Sequence, residues 1–333
     1  MLKYLQQDSP APVGGIRNED GRDEEIMIDR LQKYCGVFPA FYACYEDDGS
    51  VSVARTKRLA RLLVNKGVQG LYVGGSSGEC IYLEKEERMQ ILEAVMEEVR
   101  GECTIIAHVA CNNTRESRQL AAHAESLGVD AIASIPPIYF HLPDHAIAKY
   151  WNDISDAAPN TDFVIYNIPQ LAGVALSPAL FREMRKNPRV IGVKNSSMPT
   201  MDIERFKRIG GEDSIVFNGP DEQFVAGRAA GADGGIGGTY GAMPELYLRM
   251  DALVREGKIP EAQPVQAAAN DITAALCSCH GSMYAVIKKV IELREGLPLG
   301  SVRLPMAGLA ESDLPQVRKC AEMIDEAIAR YCR

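Results

Sequence analysis

Short apolar segments alternate with longer segments of helical periodicity along most of the chain. Eight of the short segments are predicted strands, at residues 37–41, 71–73, 105–109, 131–135, 163–166, 190–193, 215–217 and 234–236. Near-continuous apolar runs of this length are typical of parallel strands that are buried on both faces. Between them lie predicted helices. In one of these, Leu92, Val95, Met96 and Val99 follow the i, i+3, i+4, i+7 spacing of a single helical face.

The junctions between predicted helices and strands resemble one another. Several helical segments stop at a glycine suited to a left-handed C-terminal position, at 67, 101, 128, 231 and 257. Recurring helix–turn–strand junctions favour a cyclic βα architecture over an open sheet. We therefore predict an α/β fold, a (β/α)₈ TIM barrel over residues 34–259. A helical layer, residues 260–333, is expected to pack on the barrel. Residues 1–33, rich in Pro, Gly and charge, are predicted to form a flexible extension.

Composition narrows the functional classes. The 333-residue chain is 46% hydrophobic and 24% charged, which is ordinary for a soluble domain. A net charge of −9 argues against nucleic acid or an anionic membrane as a partner. No apolar stretch approaches the ~20 residues that span a bilayer. The first residues lack a secretory pattern, so a cytoplasmic location is expected.

Metal and disulfide chemistry are not indicated. The nine cysteines lack the paired spacing of a zinc site or a disulfide framework, so reduced and mostly buried thiols are predicted. Cys277 and Cys279 form the closest pair and fall in a stretch interpreted as helical. The five histidines form no spaced ligand set, which counts against a zinc site.

Lys194 ends the apolar run at residues 190–193. An amine held in such a strand loses hydration, which lowers its pKa and favours the neutral form that attacks a carbonyl. A strand-end lysine can also extend its head to solvent at the rim of a sheet, which is the commoner arrangement for a lysine considered alone. Both interpretations are open at this point.

Polar segments follow other predicted strands, at the barrel face that carries catalytic groups. The small residues at 74–79 (GGSSGE) allow backbone amides and hydroxyls to bind an anion, or they simply form a tight turn. Tyr166 supplies a phenol that can relay a proton, or it is an amphipathic residue at the rim of the barrel. Asp221 and Glu222 suit a polyhydroxylated ligand, or begin a helix. The glycine-dense residues 234–240 leave a sugar-phosphate enzyme as an alternative.

Three motifs together resemble the pyruvate-dependent class I aldolases that include N-acetylneuraminate lyase and dihydrodipicolinate synthase. They are residues 74–79 (GGSSGE), 166–169 (YNIP) and 192–194 (GVK), and the resemblance extends over about residues 34–333. Residues 219–222 (GPDE), 234–237 (GGIG) and 106–109 (IAHV) are most similar to the N-acetylneuraminate lyase branch.

The resemblance implies roles for individual residues. Lys194 would form the Schiff base with the keto carbon, and Tyr166 would move the proton of the hydroxyl at the cleaved bond. Ser76 and Ser77 would hold the substrate carboxylate. No metal or other cofactor is implied, because the covalent iminium itself withdraws electrons from the breaking bond.

Further roles concern the sugar and the assembly. The resemblance implies that Asp221 and Glu222 bind the glycerol-like tail, with Gly219 allowing close approach. Tyr139 matches a tyrosine placed at a subunit contact near the site, and the family is commonly tetrameric, so a homo-oligomer is expected.

Several positions depart from the family pattern. Leu171 stands where dihydrodipicolinate synthases carry an arginine, which disfavours that activity. Gly238 replaces a common serine, and Ser77 and Ser196 replace threonines, which alters polar contacts around the sugar.

The function implied is reversible cleavage of N-acetylneuraminate to N-acetylmannosamine and pyruvate. Alternatives are an aldolase or dehydratase acting on another 2-keto-3-deoxy sugar acid, a non-catalytic sugar- or pyruvate-binding barrel, and a metal-dependent aldolase or sugar-phosphate isomerase.

Overall fold

A parallel eight-stranded barrel forms the centre of the protein. The structure, a computed structural model, describes residues 30–332. The strands are β1 (Val37–Pro39), β2 (Gly70–Val73), β3 (Thr104–His108), β4 (Ala131–Ser134), β5 (Asp162–Asn167), β6 (Val190–Asn195), β7 (Ile215–Asn218) and β8 (Gly234–Gly237). From β2 to β8, each strand pairs with its sequence neighbour, and β1 pairs with β8. A parallel bridge between Ala40 and Tyr72 links the ends of β1 and β2 and completes the cylinder. All eight predicted strands are confirmed.

Helices surround the barrel. They are α1 (Val53–Asn65), α2 (Lys85–Val99), α3 (Thr114–Leu127), α4 (Asp144–Ser155), α5 (Pro169–Ala172), α6 (Pro178–Met184), α7 (Met201–Gly210), α8 (Phe224–Ala229), α9 (Pro244–Arg255), α10 (Ile259–Leu276), α11 (Met283–Glu295) and α12 (Leu314–Tyr331). The predicted face of α2 is buried at Leu92, Val95, Met96 and Val99. The five predicted terminal glycines all have positive φ; Gly128, for example, caps α3 at φ 76°.

Two apolar clusters hold the architecture. The inner cluster fills the barrel with side chains such as Phe38, Ile106 and Phe217. The outer cluster packs the helices against the sheet and includes Val317 and Ile324 of α12. Helices α10 to α12 thus add a C-terminal helical layer to the barrel. The predicted flexible extension falls largely on residues 1–29, which lie outside the described residues, and the domain boundaries stay a prediction.

The cysteine predictions need correction. Helix α10 ends at Leu276, so Cys277 and Cys279 lie in the following turn rather than in a helix. Ser278, Gly281 and Ser282 favour turn over helix there, which explains the early stop. All nine thiols are free, but only Cys44 and Cys320 are fully buried. Across residues 30–332, no helix combines the length and hydropathy needed to cross a membrane.

Candidate active site

Lys194 and Tyr166 lie side by side inside the barrel. They are direct partners in the register of β5 and β6, and each is 4% exposed. The Lys194 Nζ atom lies 4.0 Å from the centroid of the Tyr166 ring and 4.3 Å from that of Tyr72. Strand β6 continues to Asn195, two residues beyond its predicted end, so Lys194 lies within the strand. The solvent-directed arrangement of this lysine is therefore excluded.

The environment of Lys194 favours the neutral amine. Burial lowers its pKa from 10.5 to about 7, while the Asp221 carboxylate opposes the change. At a pKa near 7, about half of the amines are unprotonated at neutral pH, whereas an ordinary lysine is almost entirely charged. The amine is thereby suited to attack a carbonyl carbon.

Tyr166 keeps its proton at neutral pH. Burial raises the pKa of its phenol to about 12, and the hydroxyls of Ser76 and Ser196 oppose this by favouring the phenolate. A protonated phenol beside two hydroxyls has the donors and acceptors that a proton relay needs.

The Ser76–Gly78 turn follows β2 and is anchored by the C-terminal layer. Ser77 Oγ donates a hydrogen bond to the Tyr284 hydroxyl of α11, at 3.0 Å. Glu79, in the left-handed conformation at φ 59°, receives Lys288 Nζ of the same helix at 2.6 Å. The Tyr45 hydroxyl and the Arg303 amide also donate to Glu79, at 3.1 and 2.6 Å. Sequence reasoning missed Tyr284 and Lys288, whose only signal was their spacing of one helical turn.

Asp221 connects the loops after β7 and β8. Its buried carboxylate accepts hydrogen bonds from the Gly238 amide at 3.1 Å and from the amide and hydroxyl of Thr239, both at 2.6 Å. Burial raises its pKa to about 6, although these hydrogen bonds oppose the change. A side chain on Gly238 would place its Cβ 3.3 Å from Ser77 Oγ, so this glycine faces the Ser76–Gly78 turn, here called the serine turn.

Gly219 is required by close packing. A Cβ atom there would overlap Ser196 Oγ and lie 2.8 Å from the Asn195 carbonyl oxygen. The predicted residues that the structure brings together are Lys194, Tyr166, Ser76, Ser77, Ser196, Gly219, Asp221 and Gly238. Glu222 is exposed beside them. Tyr139 is 87% exposed and packs edge-on against Phe140.

A cavity of about 610 Å³ adjoins the site. Its walls include Ser76, Tyr284, His108, Arg88 and Leu171. Among residues 30–332, no group of three or more His, Cys, Asp or Glu side chains is arranged to hold a metal ion.

A (β/α)₈ barrel that places a buried amine of lowered pKa beside a protonated tyrosine has the features of a covalent, Schiff-base type of aldolase. The chain belongs to the dihydrodipicolinate synthetase family, which it matches over residues 33–324.

Relatives and solved structures agree with this assignment. An N-acetylneuraminate lyase of Mediterraneibacter gnavus is 60% identical over 301 residues, which are 90% of this chain and 96% of the relative. The wild-type sialic acid aldolase of Ruminococcus gnavus is 60% identical, with a TM-score of 0.89 over 90% of this chain and 99% of that chain. A catalytic lysine mutant of the Ruminococcus enzyme has the same identity and coverage, with a TM-score of 0.90. The resemblance found in the sequence is confirmed.

Proposed function

We propose that this protein is a carbon–carbon lyase that reversibly cleaves N-acetylneuraminate to N-acetylmannosamine and pyruvate, through a Schiff base on Lys194. The observation that carries the proposal is the buried Lys194 amine, with its pKa lowered to about 7, against Tyr166. The support for this substrate is the 60% identity to a relative named N-acetylneuraminate lyase.

The chemistry follows from the two side chains. The neutral Lys194 Nζ adds to the keto carbon, and loss of water leaves an iminium that withdraws electrons from the bond between the α- and β-carbons. Tyr166 relays the proton of the β-hydroxyl as that bond breaks, which releases the aldehyde. The remaining enamine takes up a proton, and hydrolysis frees pyruvate and the amine. Ser76 and Ser196, which favour the phenolate, assist the relay.

Substrate binding uses the loops around the barrel mouth. Ser76 and Ser77 hold the carboxylate, which fixes the keto carbon against the amine. Asp221 already accepts three hydrogen bonds from Gly238 and Thr239, and an ionised carboxylate offers about four acceptor sites, so about one is left for a sugar hydroxyl.

The sugar tail is recognised by neighbouring groups. The exposed Glu222 carboxylate has the larger free capacity for tail hydroxyls. Gly238 faces Ser77, and Gly219 lets the chain approach Ser196 because it has no side chain.

The enzyme needs no external cofactor, because the substrate itself becomes the electron sink on Lys194. Its partners are the small-molecule sugar acid and pyruvate, with no role for nucleic acid or membrane. The enzyme acts in the cytoplasm as a homotetramer, with Tyr139 at a subunit contact near the site. The 87% exposure of Tyr139 in a single chain supports that contact.

Borohydride trapping tests the proposal. The protein is incubated with pyruvate, reduced, digested and mapped by mass, and turnover of N-acetylneuraminate is followed in parallel by pyruvate release. We expect the label on Lys194 and no turnover by Lys194→Ala. Lys149→Ala, which removes an amine whose side chain is 74% exposed, serves as the control and keeps full activity. Labelling of another residue, or release of pyruvate only from a different 2-keto-3-deoxy sugar acid, would overturn the assignment.

A further inference from the structure

Three buried polar atoms beside the site have no hydrogen-bond partner among the described residues. They are the Tyr72 hydroxyl, His108 Nε2 and Arg88 Nε. Their residues are 0%, 5% and 6% exposed. Buried polar atoms in proteins are nearly always bonded to protein or to ordered water, so three such atoms on neighbouring side chains indicate a bound polar molecule.

The bonding capacity of each atom is defined by its neighbours. His108 Nδ1 lies 3.0 Å from the Gly74 carbonyl oxygen, which can only accept, so Nδ1 carries the proton and Nε2 is an acceptor. Arg88 donates through its terminal nitrogens to the carbonyl oxygens of Ala110 and His108, at 2.8 and 2.7 Å. These bonds fix the guanidinium plane and leave Nε–H as a donor. The Tyr72 hydroxyl can do both.

Two of these side chains, His108 and Arg88, line the cavity, and the third, Tyr72, contacts the reactive amine. The Tyr72 and His108 ring centroids are 6.1 Å apart, and they lie 5.9 and 6.1 Å from that of Tyr166. Lys194 Nζ lies 4.3 Å from the Tyr72 ring centroid. His108 and Arg88 line the cavity together with Ser76. A small molecule that bonds to Tyr72 and His108 therefore lies in the group of rings that Lys194 Nζ contacts.

We propose that Tyr72, His108 and Arg88 hold the water molecule that hydrolyses the Schiff base on Lys194. A buried water makes about three hydrogen bonds. The acceptor His108 Nε2, the donor Arg88 Nε and the Tyr72 hydroxyl supply that number. This inference rests on the proposed lyase function and deepens it, because it assigns the source of the oxygen that appears in pyruvate.

The hydrolytic step balances without another reactant. The water oxygen adds to the iminium carbon, the carbon–nitrogen bond then breaks, and the keto oxygen of pyruvate comes from the water. Both water protons end on the Lys194 nitrogen, which already carries one. Burial and the nearby Arg88 lower the pKa of His108 to about 3, so the imidazole stays neutral and orients the water as an acceptor.

Oxygen exchange tests the inference. Pyruvate and enzyme are incubated in ¹⁸O-water, and label entering the keto oxygen is followed by mass spectrometry, with the background measured in Lys194→Ala. Tyr72→Phe removes only the hydroxyl. His108→Asn retains an N–H for Gly74 but has no acceptor in place of Nε2, whereas His108→Gln restores one. We expect exchange to slow about tenfold in the first two variants and to recover partly in the third.

The controls separate this inference from loss of fold and from the lyase proposal. Tyr34→Phe alters a tyrosine that is equally buried but bonds to the Asp130 carbonyl and the Asp162 carboxylate, so its exchange rate stays that of wild type. Melting temperatures and borohydride trapping on Lys194 are measured for every variant. Normal trapping with unchanged exchange in Tyr72→Phe and His108→Asn overturns the water site alone. Absence of trapping and of N-acetylneuraminate turnover in wild type overturns both proposals.

Discussion

Lys194→Met should make the protein more stable, and the gain should depend on pH. Methionine is an unbranched apolar side chain that fits where the lysine stem lies, and it removes the buried amine. The pKa of Lys194 falls from 10.5 in an ordinary setting to about 7 in the folded protein. At about 1.4 kcal/mol for each pKa unit, this difference equals about 5 kcal/mol of preference for the neutral form.

The sign follows from proton linkage. Because the folded pKa is lowered, the wild-type protein must release a proton from Lys194 on folding at pH values between about 7 and 10.5. The contribution of Lys194 to stability is complete above the unfolded pKa and is lost as pH falls toward about 7. The methionine variant lacks this dependence. Its advantage over wild type is therefore larger at pH 7 than at pH 10, by about 3 kcal/mol.

Urea unfolding of wild type and Lys194→Met at both pH values measures the difference, at one protein concentration because subunit association also stabilises the folded state. Other titrating groups are common to the two proteins and cancel. Lys149→Met, at a side chain that is 74% exposed, should show no pH-dependent difference. An equal advantage at both pH values, or a larger one at pH 10, would refute the buried neutral amine.

Three further substitutions test the site. Tyr166→Phe should lower kcat about a hundredfold or more with little change in KM, because the phenol transfers a proton in the transition state. A change in KM alone in steady-state kinetics would contradict the relay. Lys288→Met leaves the Glu79 carboxylate, paired at 2.6 Å, buried without a cation, so denaturant unfolding should show a loss of about 3–5 kcal/mol. A loss within measurement error would show that the pair is not desolvated. Gly219→Ala forces its Cβ against Ser196, so unfolding should register a loss of about 1–3 kcal/mol together with lower activity, and unchanged values would contradict the packing.

Burial of the strands could be predicted from the sequence because it depends on the residues of each strand alone. A parallel strand covered on both faces needs an apolar run, and each predicted run became a strand. The end of β6 was predicted too early because Lys194 and Asn195 are polar. In the barrel they are tolerated, since Asn167 donates its side-chain amide to Asn195 Oδ1 at 2.7 Å and Lys194 lies against aromatic rings.

The two interpretations of Asp221 could not be separated by sequence. A carboxylate after proline suits both a ligand and the start of a helix. The structure adds a third use, because Asp221 also joins the loops after β7 and β8 through Gly238 and Thr239. Those loops become neighbours only when β7 and β8 pair, so the spacing of residues in the sequence does not indicate their contact.

The sequence by itself determined the barrel, the order of its strands and the position of Lys194 and Tyr166 near strand ends, because hydrophobic periodicity records which faces are buried. Tertiary structure alone decided that the amine is enclosed and that Tyr284 and Lys288 of α11 anchor the serine turn more than 200 residues away in the chain. Ionisation and hydrogen bonding depend on which groups lie within a few ångströms in space, and closure of the barrel determines those distances.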